Sequence, residues 1–304
     1  MSTISNLIRK KTAFKNKKPT ALCFFYDGRF DSQLADTGLN LVGSIEFSVH
    51  HWDINIKSDN VTIIPPQEII QHTYDFVIFN DLIKQHEHIK NMSQSLHIPS
   101  IVLGHEPYTE TTYHLKKRLQ ESRLQYISTE YGVENNIPYG VEELPNITKD
   151  IDFLVEGNFE AKDHQLLKMF KQKIPNLTLL GNNPGLDFSI TPTSYTDYRQ
   201  YFARCKTFIN LPTQNNISHQ LLWAMANGAF VVSLHSPPIA KVINSNNGVL
   251  CNGAQHLIDT AVNHTYDQKK ATKAKEIVKQ FPIDIFQQKW NNIIEQYCNK
   301  VFTL

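Results

Sequence analysis

The sequence has no apolar run that approaches the roughly 18 residues needed for a membrane-spanning helix. Its first segment, MSTISNLIRKKTAFKNKK, is basic, but no apolar stretch follows it, which argues against a secretory leader. The two absences predict a protein without integral membrane segments that works in the cytoplasm.

The chain also has little net charge and no closely spaced cysteines. Its formal net charge of +1 excludes a globally basic nucleic-acid-binding protein but leaves room for local basic patches. The four cysteines are far apart and show no metal-binding spacing, which favours reduced, structural thiols: Cys23, Cys205, Cys251 and Cys298.

What the chain does contain is an alternation of short apolar runs with helical patterns. Strands are predicted at 20–26, 75–80, 99–105 and 124–129, and again at 151–157, 177–181, 206–211, 229–235 and 248–251. Helices are predicted at 81–96, 111–123, 161–172, 195–205, 218–227 and 253–265, with a long amphipathic helix at 282–302. This alternation predicts an α/β protein with two Rossmann-like, doubly wound domains.

The pattern restarts after a polar segment at 139–150 that contains Pro145. We therefore expect an N-terminal domain over 1–148, a C-terminal domain over 149–285, and a final helix over 286–304 that packs back on the N-terminal domain. Ligands of open parallel sheets lie beyond the carboxyl ends of the strands, so residues just after strands become the candidate site.

The stretch NNISHQLLWAMANGAFVVS suggests one such site. Ser218 is a favourable N-cap and Gly228 a favourable helix stop. A helix that begins at Ser218 would offer free backbone N–H groups, which suit a diphosphate. The alternative is an ordinary buried helix that packs on a sheet.

Several segments resemble, in order, retaining glycosyltransferases with two Rossmann-like domains, the family-4-like group of the GT-B fold. LLWAMANGAFVVS resembles their LEAMAxGxPVV segment, and IDFLVEGNFEAKD and LTLLGNNPG resemble the donor-side strand ends. IPYGVE resembles their IPYGVD hinge, and IPSIVLGHEP resembles a strand that ends in a functional histidine. DGRFDSQLADTGLNL resembles glycosyltransferases encoded by T4-like phages.

The resemblance implies a glycosyltransferase that moves a hexose or pentose from a nucleotide-diphosphate sugar, with a UDP-sugar as co-substrate and no required cofactor. His105 would contact the donor sugar. The family's two glutamates are replaced by Asn215 and Trp223, and the arginine of its phosphate loop by Asn158. These departures predict that the ribose is held differently, or that activity has been lost. Trp223 would either contact the nucleotide or fill its space.

The predicted site residues fall into three groups. The catalytic candidates are His105 and Asn215. The donor-binding candidates are Gly28, Arg29, Gly157, Asn158, Lys162, Gly181, Asn182, Asn210, Thr213, Gln214, Asn216, Ser218, His219 and Trp223. The acceptor-side candidates are Asp31, Lys116, Lys117 and Arg118. A plain strand-to-helix turn is the alternative for Asp31, and a solvated helix face is the alternative for the three basic residues. Asp150 and Asp152 match a D-x-D metal motif but begin a strand, so no metal is predicted.

For the acceptor, the phage resemblance implies hydroxymethylated pyrimidines in double-stranded DNA. A cell-envelope polysaccharide or lipid is the alternative acceptor. A catalytically inactive protein that binds a sugar nucleotide, or acts as a scaffold, is the alternative of a different class. The sequence specifies neither the sugar nor the oligomeric state.

Overall fold

Two parallel sheets form the framework of the chain. The structure, a computed structural model, describes residues 20–25, 36, 39–45, 61–64, 74–80, 100–104, 125–128, 140–145, 147–212, 217–263 and 266–302. The chain divides into two compact units, one of Met1–Pro138 with Asp284–Leu304 and one of Tyr139–Ile283.

The sheet of the first unit has six parallel strands in the order β3-β2-β1-β4-β5-β6. They are Thr20–Phe25 (β1), Asn40–Ile45 (β2), Val61–Ile64 (β3), Phe76–Asn80 (β4), Ser100–Gly104 (β5) and Gln125–Ser128 (β6). Asp75 holds the start of β1, because its Oδ2 accepts from the Thr20 N–H over 2.7 Å and its own N–H donates to Thr20 O over 2.8 Å. Four of these strands were predicted, whereas β2 and β3 were not.

The sheet of the second unit repeats the same order, as β12-β11-β10-β7-β8-β9, again with parallel pairs throughout. Its strands are Ile151–Glu156 (β7), Leu177–Leu180 (β8), Ser189–Ile190 (β9), Cys205–Asn210 (β10), Phe230–Leu234 (β11) and Gly248–Cys251 (β12). In both sheets the first strand is central and the order reverses beside it, as in doubly wound folds. The predicted mixed α/β class with parallel sheets is therefore confirmed.

Helices cover both faces of the second sheet. The helices of this unit are His164–Lys173 (α1), Tyr195–Arg204 (α2), His219–Ala226 (α3), Ala254–Asn263 (α4) and Gln268–Val278 (α5). Leu167 and Phe170 of α1 and Leu257 of α4 are buried in one core cluster with alternate residues of the strands. On α2, Phe202 packs edge-on against Phe208 of β10, so this helix covers the opposite face. Helix α3 packs against α2 and α5.

The final helix, Ile283–Phe302 (α6), has the predicted apolar stripe. Phe286, Trp290 and Ile294 recur every four residues and are buried. Within the first unit, the Gln287 side chain donates to Asp36 O over 3.0 Å. None of the helices in the described ranges has the length and apolar character to cross a bilayer.

Candidate functional site

The carboxyl ends of β7, β8, β10 and β11 form one edge of the second sheet, called here the carboxyl edge. β7 and β10 are neighbours at the point where the strand order reverses. In doubly wound sheets, ligands bind in the crevice outside this reversal. The loops that leave the carboxyl edge are therefore the candidate site.

Two glycines bring the loops after β7 and β8 into contact. Gly157 has a φ of +153° and Gly181 a φ of +136°. A Cβ atom at Gly181 would lie 2.3 Å from Gly157 O, which no real side chain tolerates. The close approach explains why glycine is required at Gly181, whereas the predicted donor contacts of both glycines stay predictions.

Asparagine side chains tie these two loops together. Asn158 Oδ1 accepts from the Asn182 N–H over 2.7 Å. Asn183 Oδ1 accepts from the Phe159 N–H over 2.7 Å, and its Nδ2 donates to Gly157 O over 3.0 Å. Asn183 is buried, so its amide is a structural element of the site, whereas Asn158 and Asn182 lie at the surface of the same network.

A cavity of about 660 Å³ opens beside the loop after β8. This volume lies within the range of small-molecule sites in proteins. Its charged lining residues are Lys168 on α1 and Asp187, neither of which was predicted. The complete lining consists of Lys168, Asn182, Asn183, Pro184, Gly185, Leu186, Asp187, Ser189 and Thr191. The cavity thus includes Asn182, which was predicted to contact the base or ribose.

Lys162, the predicted phosphate-loop cation, lies in a short 3-10 helix of residues Ala161–Asp163. Its Nζ pairs with Glu160 over 2.8 Å, and both side chains are largely exposed, at 72% and 75%. The hydrogen bond to Glu160 raises the pKa of Lys162, so the ammonium stays charged. Because an exposed ion pair is weak, a phosphate at this edge would compete with Glu160.

Helix α3 begins where the sequence predicted. The Ser218 hydroxyl accepts from the Leu221 N–H over 3.2 Å, which makes Ser218 the N-cap. At the other end, Gly228 has a φ of +71° and its N–H donates to Met225 O over 3.0 Å. The predicted N-cap and helix stop are confirmed. The helix follows β10, so its N-terminus lies on the carboxyl-edge side of the sheet.

Trp223 lies inside the unit, with 1% of its surface exposed. Its indole Nε1 donates to Nε2 of His219 over 2.6 Å. An indole N–H can only donate, so His219 Nε2 carries a lone pair and the imidazole proton lies on Nδ1. Nε2 also lies 3.3 Å from Gly140 O, a contact to which it therefore contributes no hydrogen.

A cation covers the indole. The guanidinium carbon of Arg199, on α2, lies 3.9 Å from the centroid of the Trp223 ring. Arg199 also forms an ion pair with Glu142. Trp223 therefore packs inside the unit, which is one of the two roles predicted for it. Its contact with a nucleotide stays a prediction.

Asn210 ends β10 as a buried residue. Its Nδ2 donates to Ser233 Oγ over 2.8 Å, and the Ser233 hydroxyl donates to Leu234 O over 2.9 Å. Asn210 therefore links the ends of β10 and β11, and its predicted contact with a sugar stays a prediction.

The carboxylates of the D-x-D motif are engaged by basic side chains. Both oxygens of Asp150 accept from Arg204, over 2.8 and 2.7 Å, and Asp152 pairs with Lys206 over 2.7 Å. Hydrogen bonds from these partners lower the pKa of both carboxyl groups. Over the ranges that the structure describes, no group of His, Cys, Asp or Glu has the arrangement of a metal site.

The remaining predicted residues lie outside the described residues, so their roles stay predictions. They are Gly28, Arg29, Asp31, His105, Lys116, Lys117, Arg118, Thr213, Gln214, Asn215 and Asn216.

No protein-family model matches the sequence, and no curated protein matches it. Solved structures do. HepE of Anabaena in complex with UDP and glucose superposes with a TM-score of 0.64 at 14% identity, covering 91% of this chain and 100% of that chain. HepE in complex with UDP-glucose superposes with a TM-score of 0.58 at 15% identity, covering 94% of this chain and 100% of that chain. Sucrose-phosphate synthase of Thermosynechococcus elongatus superposes with a TM-score of 0.56 at 13% identity, covering 92% of this chain and 99% of that chain. At these identities the similarity establishes the fold, which is the GT-B fold.

Proposed function

We propose that this protein is a glycosyltransferase that transfers a sugar from a nucleotide-diphosphate sugar to an acceptor hydroxyl. The observation that carries the proposal is the carboxyl edge, where an N-capped helix follows β10 and a cavity opens beside β8. The fold supports it, because HepE, which has the same fold, was solved with UDP and glucose.

The donor would extend along this edge. Its diphosphate would lie at the N-terminus of α3, where free backbone N–H groups favour negative charge. β10, β7 and β8 are successive neighbours in the sheet, so β8 lies two strand spacings, or about 10 Å, from β10. A nucleoside that extends over that distance would reach the cavity that contains Asn182.

The chemistry would rest on charge stabilisation. Backbone N–H groups of α3 would stabilise the leaving diphosphate, and Lys162 would add a cation by exchanging its contact with Glu160. His105 and Asn215 would contact the transferred sugar, and transfer with retention follows from the family resemblance. A UDP-sugar is the proposed donor.

The test is a thermal-shift panel of UDP, GDP and ADP and of their glucose conjugates. A ligand that binds only the folded state at one hundred times its Kd adds about 2.7 kcal/mol of stability. We expect UDP and UDP-glucose to raise the melting temperature. If none of the six compounds does so, the proposed function is wrong.

A second candidate function is nucleotide-sugar binding without catalysis. The observation that favours it is Trp223, which is buried and gives its N–H to His219, so this position offers no carboxylate to a ribose. Hydrolysis of UDP-glucose by the purified protein, or its transfer, separates the two candidates. Binding with neither hydrolysis nor transfer, across all acceptors offered, would identify the inactive protein.

We propose hydroxymethylated pyrimidines in double-stranded DNA as the acceptor, with a cell-envelope polysaccharide or lipid as the alternative. Duplexes that contain 5-hydroxymethylcytosine should accept radioactive glucose, whereas the same duplexes with cytosine should not. Binding to either duplex should weaken steeply with salt, because phosphate contacts release counterions. Equal labelling of both duplexes, or labelling of neither, would reject the DNA acceptor.

A further inference from the structure

Ser236 lies at the carboxyl edge, and its hydroxyl differs there from the side chains of three asparagines described above. It follows β11, and its hydroxyl oxygen is buried without a hydrogen-bond partner. By contrast, Asn158, Asn183 and Asn210 all make side-chain hydrogen bonds at the same edge. A buried hydroxyl without a partner destabilises a folded protein, so such a group calls for an explanation.

The local sequence removes one of the usual backbone partners of the hydroxyl. A serine in a loop commonly accepts from a backbone N–H two or three residues further on. Here the residue two positions further on is Pro238, which has no N–H, and the N–H of Ile239, three positions further on, makes no hydrogen bond to the hydroxyl. The Ser236 carbonyl is used, since it accepts from the Ala240 N–H over 3.0 Å. Of the two oxygen atoms of Ser236, the hydroxyl oxygen is therefore the one without a partner.

Ser236 follows a strand that ends at the same edge of the sheet as the proposed donor site. β11 is the parallel neighbour of β10, and Asn210, the last residue of β10, lies beside Ser233. The chain that leaves β10 at that point leads to the N-cap Ser218 of α3. Ser236 lies three residues past Ser233, and therefore beyond the strand end on the ligand side of the sheet.

We propose that the Ser236 hydroxyl binds an oxygen atom of the nucleotide sugar, either by donating to the diphosphate or by bonding to a sugar hydroxyl. This inference rests on the proposed function and adds a donor-binding residue to it. The group is unpaired in the free protein because its partner is the ligand.

The test is Ser236→Ala, with Ser233→Ala as the matched control. In the free protein, Ser236→Ala removes an unpaired hydroxyl and should raise the melting temperature by about 2–4 °C. Ser233→Ala removes a buried hydroxyl that makes two hydrogen bonds and should lower it. A lower melting temperature for Ser236→Ala would overturn the premise that the hydroxyl is unpaired.

Binding then decides the role. In titration calorimetry, Ser236→Ala should weaken the binding of UDP or UDP-glucose by about five- to a hundredfold, as expected for the loss of one polar contact. Ser236→Thr should restore the affinity. An equal loss for UDP and UDP-glucose assigns the contact to the diphosphate, whereas a loss for UDP-glucose alone assigns it to the sugar. Unchanged affinities for both would overturn the inference while the proposed function stands. If the wild type binds neither compound, the proposed UDP-sugar donor fails and the inference fails with it.

Discussion

The indole N–H of Trp223 and the Nε2 atom of His219, one helical turn apart on α3, are joined by a hydrogen bond of 2.6 Å. Both side chains are buried, at 1% and 3% exposure. The bond fixes the orientation of the first residue of a helix whose N-terminus is the proposed diphosphate site. Helix α3 is therefore held at this end by its own side chains as well as by its N-cap.

Trp223→Phe should destabilise the protein by about 1–3 kcal/mol more than Trp290→Phe, as measured by urea denaturation followed by circular dichroism. Both substitutions remove a buried indole. Only the first leaves a buried acceptor, His219 Nε2, without its donor, because Trp290 Nε1 has no hydrogen-bond partner. Equal losses for the two variants would show that the hydrogen bond contributes nothing.

Gly181→Ala should lower the free energy of unfolding by about 3 kcal/mol or more, because its Cβ would meet Gly157 O at 2.3 Å and the backbone has a positive φ. Gly185→Ala is the matched control. Its φ is +88°, but nothing lies within 4 Å of the added Cβ, so only the backbone cost of about 1–2 kcal/mol applies. Denaturation curves for the two variants test this difference, and similar losses would contradict the close approach of the two loops.

The buried thiols should be unreactive in the folded protein. Burial raises the pKa of Cys205 to about 12, and it also raises the pKa of Cys23 and Cys251. Four pH units below its pKa, a thiol is ionised in about one molecule in ten thousand. In a Cys298→Ser background at pH 8, Ellman's reagent should detect no thiol before unfolding and all three after it. Rapid reaction of the native protein would show that these thiols are accessible.

His105→Ala should lower kcat for sugar transfer by about ten- to a thousandfold, as expected for loss of a polar contact to the transition state. Circular dichroism should show an unchanged fold. Unchanged turnover in a folded variant would assign His105 a structural role.

Most of the fold could be predicted because its strands are concentrated apolar runs. β4 and β10 have the β-branched and aromatic residues that distinguish buried parallel strands. Helix α5 was not predicted, since its sequence QKKATKAKEIV buries only Ala271, Ala274 and Val278 and carries lysines on the rest of its surface. β9 was missed because a strand of two residues has no periodicity.

The site could be predicted only where local rules decide the structure. Ser218 and Gly228 follow from helix capping alone. The guanidinium that covers the Trp223 ring belongs to Arg199, which is distant in sequence, so no local pattern shows this contact. The unpaired hydroxyl of Ser236 could not be predicted from the Ser-Pro-Pro run, because Pro238 removes one local N–H and Ile239 keeps another.

The asparagine bonds between the loops after β7 and β8 also affect the thermodynamics of ligand binding. Because Asn183 holds Gly157 and Phe159 in place without a ligand, the entropy of ordering these loops is lost during folding and not during association. A nucleotide that contacts these two loops would need no closure of them. Its binding should then show a small entropic penalty and an association rate limited by encounter rather than by rearrangement.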